Sequence, residues 1–204
     1  MTNNRGVFIC LEGIDGSGKT TQARRLVKTL IKKGYDAVYT TEPSKGLYGK
    51  IIRKQLLQRN KRVPIVVEAL LFAVDRIDHI EKEINPLLDA GKVIICDRYV
   101  FSSIAYQGAS DFSQEWIKEI NKHAIKPDLG LYIDVLPELM DSRIHRAKSV
   151  METKQTQRKV REIYLKLVKD KHLVHVYGRA TKREVAQTIE KVVFKFLERI
   201  KPSA

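Results

Sequence analysis

Between Val7 and Thr21 the chain joins an apolar run to a glycine-rich turn and then to a helical pattern. Residues 7–11 are apolar without polar alternation, which predicts a strand that is buried on both faces. Gly13 to Thr20 then match G-x-x-x-x-G-K-S/T, a turn whose backbone N–H groups converge on phosphate oxygens. Because the following helix directs the positive end of its dipole at the same anion, this order predicts a phosphate-binding loop.

The residues of this loop have separate expected roles. Gly13, Gly16 and Gly18 have no Cβ atom to block the approach of phosphate oxygens. We expect Lys19 to reach the β- and γ-phosphates of a nucleotide as a point charge, and the Thr20 hydroxyl to bind Mg²⁺. The alternative is a glycine-rich turn that matches by chance, but the strand pattern before it and the helical pattern after it argue against that alternative.

Five short apolar segments alternate with longer helical patterns, which is typical of β-α-β units and a parallel sheet. The predicted strands are residues 7–11, 36–41, 93–96, 129–135 and 173–177. The predicted helices are residues 19–33, 47–57, 65–88, 114–124, 137–146, 157–168 and 182–200. Nothing in the composition indicates a linker, so we expect a single domain over residues 1–204.

The formal charge of +14 is compatible either with a site for polyanionic nucleotides or with a nucleic-acid surface. Basic and acidic residues are interleaved along the chain, which favours solvated helix faces, so nucleic acid is not expected as the main partner. No apolar run approaches the length of about 18 residues that a membrane span needs. Residues 1–6 form a short polar lead without the pattern of a signal peptide, so we expect a cytoplasmic protein with no membrane partner.

The predicted helix 65–88 differs from the others because residues 66–74 are apolar almost all the way round, with Glu68 the polar exception. A helix of this kind has to be buried on more than one side. One side faces its own sheet, and the other faces either a ligand or another subunit. We therefore expect a homodimer that is built on this helix.

A carboxylate and an arginine follow the third predicted strand. Because open α/β sheets bind ligands at their carboxyl edge, Asp97 is expected near the phosphate loop, where it organises Mg²⁺ through water. Arg98 is placed to bind a phosphate group bidentately. The alternative is a structural salt bridge at the end of a strand.

Several further segments extend this pattern. They are Thr41-Glu42-Pro43, Leu70 to Arg76, Asp97-Arg98-Tyr99 with Ser102 to Gly108, and Pro127-Asp128-Leu129 with Tyr132-Ile133-Asp134. Together with the phosphate loop, in this order and spacing from Val7 to about Val168, they resemble the thymidylate kinases. The resemblance implies a three-layer α/β P-loop kinase fold with five parallel strands in the order 2-3-1-4-5. It also implies transfer of the γ-phosphoryl group of ATP to dTMP, giving dTDP and ADP, with Mg²⁺ bridging the donor phosphates.

The resemblance further implies the sets of site residues. The ATP-binding residues are Gly13, Ile14, Asp15, Gly16, Ser17, Gly18, Lys19, Thr20 and Thr21. The dTMP-binding residues are Asp15, Glu42, Pro43, Arg53, Phe72, Arg76, Arg98, Ser103, Tyr106 and Gln107. The residues expected to be catalytic are Lys19, Asp15, Arg98, Arg143 and Arg146, while Thr20 and Asp97 serve Mg²⁺.

Within the dTMP site, the resemblance implies that Asp15 holds the 3′-hydroxyl of the sugar and that Arg98 holds the acceptor phosphate. An aromatic residue at the position of Phe72 stacks on thymine, and Arg76 donates a hydrogen bond to a base carbonyl. Phe72 and Arg76 are four residues apart and therefore share one helix face. Without the resemblance, Phe72 reads simply as a core residue.

The remaining acceptor-site residues are also assigned by the resemblance. Ser103 contacts the edge of the base, and Tyr106 lies under the 2′ carbon of the sugar. Glu42 and Pro43 form a loop that lines the site, with a cis peptide bond as one possibility. Arg53 follows on the next helix and is expected to reach the acceptor phosphate.

The segment 143–156 falls where these kinases carry a mobile lid. Some members of the family place an arginine in the phosphate loop, whereas others have glycine there and supply the cation from the lid. Gly16 makes this chain similar to the second kind, so Arg143 and Arg146 are the candidate lid cations. Val150 and Met151 stand where an Asp-Arg pair is usual, and a basic, solvated helix end is the alternative for this cluster.

Two other functions remain open from the sequence. One is a P-loop kinase that acts on another nucleoside or deoxynucleoside monophosphate. The other is a P-loop ATPase that acts on nucleic acid, although that function would leave Phe72, Arg76 and Tyr106 without a role.

Overall fold

A computed structural model of the protein describes residues 5–57, 63–110, 112–139 and 153–200. Its strands are β1 (Val7–Glu12), β2 (Ala37–Thr41), β3 (Val93–Asp97), β4 (Leu129–Asp134) and β5 (Val174–Tyr177). They form one parallel sheet in the order β2-β3-β1-β4-β5. The predicted sheet order is therefore confirmed.

The helices in the described part of the chain lie between these strands and after β5. They are α1 (Lys19–Lys32), α2 (Leu47–Ile52), α3 (Ile65–His79), α4 (Asn85–Asp89), α5 (Val100–Gly108), α6 (Gln114–Ile120), α7 (Lys154–Lys169) and α8 (Lys182–Ile200). Two π-helical segments, Arg53–Leu57 and Ile80–Ile84, continue α2 and α3, and a 3-10 turn covers Pro137–Leu139.

The helix prediction was incomplete in two places. Helix α5 was missed, because its residues are apolar or small on most sides and lack a clear amphipathic period. Of the predicted helix 137–146, the described residues include only the turn Pro137–Leu139. The predicted helix 65–88 is confirmed as a continuous helical run in which the segment Ile80–Ile84 joins α3 to α4.

Helices cover both faces of the sheet, which gives the three layers that were expected. Along β1, Ile9 and Leu11 face a cluster that includes buried residues of α1 and α8, whereas Phe8 and Cys10 face the opposite side. The apolar stripe of α8 is buried from Val185 to Leu197. Because burial of each large aliphatic side chain contributes about 1.5–3 kcal/mol, these two faces fix the helices on the sheet.

The register of the strands brings three loops together at the carboxyl edge. Leu11 of β1 and Thr41 of β2 both pair with Asp97 of β3. The segments that follow these strands therefore leave the sheet side by side, and they carry most of the predicted site residues. Among the described residues, none of the helices is both long enough and apolar enough to cross a membrane.

Candidate active site

The phosphate loop has the backbone that its glycines predict. Gly16 and Gly18 have φ angles of 71° and 92°, in the left-handed region that glycine adopts without strain, and α1 begins at the next residue, Lys19. Lys19 is only 6% exposed, and its Nζ donates hydrogen bonds to the Ile14 carbonyl at 2.7 Å and to Ser17 Oγ at 3.4 Å. The ammonium group is thus held inside the loop.

The charge of Lys19 is only partly compensated by its surroundings. Burial lowers its pKa, the nearby Arg98 lowers it further, and Asp15, Asp97 and Glu12 only partly offset these effects, so that the pKa is about 8. An anion in the loop would favour the charged form. The electrostatics of the loop therefore suit a bound phosphate group.

Asp97 offers oxygen ligands at the end of β3. Its Oδ2 accepts hydrogen bonds from the Thr20 hydroxyl and, at 3.4 Å, from the Tyr39 hydroxyl. Its Oδ1 is buried without a hydrogen-bond partner among the described residues. An unpaired carboxylate oxygen beside a threonine hydroxyl fits a hard cation such as Mg²⁺, which needs few protein ligands when phosphate oxygens and water supply the rest. The described residues contain no cluster of three or more His, Cys, Asp or Glu side chains that could hold a metal.

Arg98 adopts a φ of 71°, a conformation that is uncommon for residues other than glycine and costs about 1–3 kcal/mol. Its NH1 donates to the Gly13 carbonyl at 3.1 Å and to Ser102 Oγ at 3.2 Å. Its NH2 donates to Asp15 Oδ1 at 2.5 Å and to the Tyr106 hydroxyl at 3.2 Å. The guanidinium therefore lies between the phosphate loop and α5.

Asp15 is the centre of a second network. The Tyr106 hydroxyl donates to Asp15 Oδ2 at 2.8 Å, and Gln157 Nε2 donates to the same oxygen at 3.2 Å. The Asp15 backbone N–H donates to Gln157 Oε1 at 3.3 Å. Gln157 was missed by the sequence analysis, although it is a polar residue on the apolar face that Val160 and Tyr164 form on α7, and that position was a usable signal.

Arg76 is fully buried in a pocket that polar side chains form. Its Nε and NH2 donate to Glu42 Oε2 at 3.0 and 2.7 Å. NH2 also donates to Ser103 Oγ at 3.1 Å, and NH1 donates to Asn121 Oδ1. The structure therefore brings together three of the predicted acceptor-site residues, Glu42, Arg76 and Ser103, and adds Asn121, which had not been predicted.

The loop after β2 is tied to its neighbours through main-chain groups. The Glu42-Pro43 peptide bond is cis, as had been considered from the sequence. Arg53 donates from NH1 to the Pro43 carbonyl at 2.7 Å and from NH2 to the Ser44 carbonyl. Asp75 accepts hydrogen bonds from the Ser44 backbone N–H at 2.7 Å and from its hydroxyl at 2.6 Å. The guanidinium of Arg53 thus contacts the loop that was expected to line the acceptor site.

Two other predicted residues lie on facing helices. Phe72 of α3 is half-buried and lies outside the three clusters of buried hydrophobic residues, which argues against the reading as a core residue. Gln107 of α5 donates from Nε2 to Glu68 Oε1 at 2.7 Å, and its own Oε1 is buried without a partner among the described residues.

A cleft of about 800 Å³ at the carboxyl edge joins the phosphate loop to Asp97, Arg98 and Glu42, whereas Arg76 and Ser103 are not among its described lining residues. It is lined by the phosphate loop, by Asp97 and Arg98, by Glu42, and by Gly178, Ala180 and Lys182 from the connection between β5 and α8. The cleft therefore extends from the phosphate loop in two directions, one toward β5 and one toward the loop after β2.

Comparison with known proteins shows which family the chain resembles. A model of the family described as thymidylate kinase matches residues 11–189. The chain belongs to the thymidylate kinase family. The predicted family, fold class and enzyme class are therefore confirmed.

Full-length relatives of the thymidylate kinase family support this assignment. A probable thymidylate kinase of Pyrococcus abyssi (strain GE5 / Orsay) is 43% identical over 198 residues, which cover 93% of this chain and 96% of the relative. A probable thymidylate kinase of Staphylothermus marinus is 40% identical over 200 residues, which cover 97% of this chain and 99% of the relative. A thymidylate kinase of Thermoanaerobacter sp. (strain X514) is 39% identical over 202 residues, which cover 95% of this chain and 100% of the relative.

The candidate lid of this thymidylate kinase family member is the remaining part of the predicted site. Arg143 and Arg146 lie outside the described residues. The described chain resumes at Thr153, whose side chain accepts a hydrogen bond from the Thr156 backbone N–H and caps α7. The buried Gln157 follows within the first turn, so the start of α7 is held next to Asp15.

Proposed function

We propose that this protein transfers the γ-phosphoryl group of ATP to dTMP and so produces dTDP and ADP. The observation that carries the proposal is the position of Arg98 and Asp15. They form an ion pair between the phosphate loop on one side and α5, which carries Ser103 of the Arg76 pocket, on the other. A donor in the loop and an acceptor in the pocket would meet at this pair.

On the donor side, ATP binds to residues 13–21, and Lys19 contacts its β- and γ-phosphates. The buried ammonium and the backbone N–H groups of the loop stabilise the charge that develops on the transferring group. Thr20 and Asp97 would hold Mg²⁺, which would neutralise part of the charge of the donor phosphates. The free Oδ1 of Asp97 supports this role.

On the acceptor side, Asp15 binds the sugar 3′-hydroxyl, while Arg98 and Arg53 bind the phosphate. Phe72 stacks on thymine, as its half-buried position on α3 allows. Arg76, Ser103 and Gln107 hold the base edge, Tyr106 packs under the sugar, and Glu42 and Pro43 line the entrance.

Catalysis then consists of alignment and charge neutralisation. A phosphoryl transfer of this kind needs little covalent participation by the protein. Lys19 and Arg98 keep the donor and acceptor phosphates in line, which replaces a bimolecular encounter with an oriented one. Arg143 or Arg146 supplies a further cation when a lid at about 143–156 closes and excludes water.

We further propose a homodimer built on the helical run 65–88. Exposed apolar side chains form a stripe along α3, here called the α3 stripe, whose members are 37–45% exposed: Val66, Val67, Leu70, Val74 and Ile77. A contiguous apolar stripe on a helix is typical of a surface that another subunit covers.

We also propose one domain over residues 1–204 and a cytoplasmic location, where both nucleotides are free in solution.

A coupled assay of ADP release across a panel of nucleoside monophosphates tests the proposal. With ATP and Mg²⁺, dTMP is expected to give the highest kcat/KM, and Lys19→Ala provides the background from contaminating kinases. Turnover of another monophosphate in place of dTMP would correct the substrate. ADP release at an unchanged rate without any acceptor would favour the ATPase alternative, which a steep salt dependence of DNA binding would support.

A further inference from the structure

A row of buried charged groups runs behind the pocket of Arg76. Glu42 uses Oε2 for both hydrogen bonds from Arg76, and its Oε1 faces His79 Nδ1 at 3.5 Å. The side chains of Arg76, Glu42 and His79 are at most 3% exposed. Neither the family motifs nor the sequence analysis had given His79 a role.

The second nitrogen of His79 faces two further groups. Thr40 Oγ1 lies 2.7 Å from Nε2, and Glu83 Oε2 lies 3.5 Å from the same nitrogen. Thr40 comes from β2, Glu83 from the π-helical segment after α3, and Glu42 from the loop after β2. The imidazole ring therefore lies between the end of β2 with its following loop and the next turn of its own helical run.

This environment favours the charged ring. A neutral imidazole has one N–H donor, whereas the imidazolium has two, one for each side of the row. Burial on its own lowers the pKa of His79, but the hydrogen bonds and charges of Glu42 and Glu83 outweigh burial and raise the pKa to about 9. Arg76 donates to Glu42, and the charge of Lys45 lowers the pKa of Glu83. A positive charge thus lies beyond each of the two carboxylates.

We propose that His79 is a positioning residue of the acceptor site, where its imidazolium holds Glu42 so that Glu42 orients the guanidinium of Arg76 toward the base. The proposal rests on the proposed function, in which Arg76 meets the base of the acceptor. Ser103 and Asn121 also accept hydrogen bonds from this guanidinium, but Glu42 is its only carboxylate partner among the described residues. If the Glu42 side chain rotated away, Arg76 would lose its ion pair and keep only the hydrogen bonds to Ser103 and Asn121.

The first test is the kinetics of His79→Gln, which keeps a polar side chain of similar size but cannot carry the charge. We expect the KM for dTMP to rise roughly ten- to hundredfold, because small displacements of an orienting group have effects of this size. The KM for ATP should stay within about twofold, since the phosphate loop is not touched. His123→Gln, at an exposed histidine beyond α6, is the matched control and should leave both constants unchanged.

The second test reads the ring itself in the nucleotide-free protein. An NMR titration of ring-labelled histidines, with the His79 signal assigned by its loss in His79→Gln, should show an imidazolium up to about pH 9. Glu83→Gln should lower this midpoint and raise the KM for dTMP by a few-fold. Because Glu83 is 40% exposed, this variant keeps the test open if His79→Gln does not fold.

The outcomes separate this proposal from the proposed function. A normal KM for dTMP in His79→Gln, or an equal loss toward ATP and dTMP, would overturn the positioning role, as would a ring that is neutral at pH 7. If the wild-type protein phosphorylates a different monophosphate, the substrate is wrong. The KM for that monophosphate in His79→Gln then tests the positioning role of His79 in the same way.

Discussion

A single lysine shows how burial and ligand charge act on the same group. Lys19 is held by Ile14 and Ser17, and burial is the largest cause of its pKa of about 8. Because this value lies below the ordinary lysine value of 10.5, the buried ammonium costs stability at low pH, and this cost falls progressively as the pH rises above about 8 and is gone only above the ordinary value. Bound phosphates reverse this preference, since they favour the charged form.

The pH dependence of ATP use should therefore differ between the free enzyme and the complex. We expect the KM for ATP to rise as the pH passes through about 8, while kcat holds to higher pH because the complex retains the proton. Steady-state kinetics between about pH 7 and 10 measure both constants. Lys19→Arg, which keeps its charge throughout, should lose the inflection, and a wild-type kcat that falls in parallel with kcat/KM would contradict this assignment.

At the scale of an element, helix α3 presents three different surfaces. Its buried polar side carries Arg76 and His79, the α3 stripe is exposed, and Phe72 lies half-buried between core and solvent. The apolar residues that predicted burial on more than one side thus divide into a buried set, which includes Ala69 and Ala73, the half-buried Phe72, and the exposed α3 stripe.

Replacement of Phe72 by Ala tests the site-facing part of α3. If the ring stacks on the base, its loss costs about 1–3 kcal/mol, so the KM for dTMP should rise roughly tenfold while the KM for ATP changes little. Phe194→Ala on α8 is a matched control, because this half-buried ring packs against the core cluster and contacts Tyr35. It should lower the melting temperature without separating the two KM values. Equal effects of Phe72→Ala on both substrates would mark Phe72 as a packing residue.

The first turn of α7 offers another test at this scale. Gln157 contacts both the backbone N–H and the carboxylate of Asp15, and a hydrogen bond to a charged group contributes about 1.5–3 kcal/mol. We expect Gln157→Ala to lower kcat/KM for dTMP by roughly tenfold or more in single-substrate kinetics at saturating ATP. Gln155→Ala, at an exposed position of the same turn, should have no effect. Identical kinetics of the two variants would remove Gln157 from the site.

For the whole molecule, the α3 stripe predicts self-association. Leu70→Asp places a charge within the stripe, and burial of an unpaired charge in an interface is costly, so the variant should sediment as a monomer where the wild type sediments as a dimer. Ile31→Asp is the matched control because Ile31 is an exposed apolar residue of α1 outside the stripe. Sedimentation velocity at micromolar concentration distinguishes these outcomes, and a monomeric wild type would contradict the homodimer.

The element order and the phosphate loop could be predicted because both are local properties. Short apolar runs and period-3.6 patterns report burial through neighbours in sequence, and the loop needs glycines at fixed offsets before a helix. Helix α5 escaped the prediction because its apolar residues surround most of the helix and leave no period to detect.

The amino-acid sequence by itself determined the α/β class, the strand positions to within one residue at either end, and the donor loop. Its resemblance to one family implied the sheet order and the acceptor-site residues. Only the tertiary structure decided which polar groups meet. Gln157 reaches Asp15 across 142 residues, and His79 bridges Glu42 and Glu83 from the end of α3. Which polar groups become partners depends on how the helices pack against the edge of the sheet. Because a buried polar group must find a partner wherever packing brings one, the spacing of residues along the chain does not reveal it.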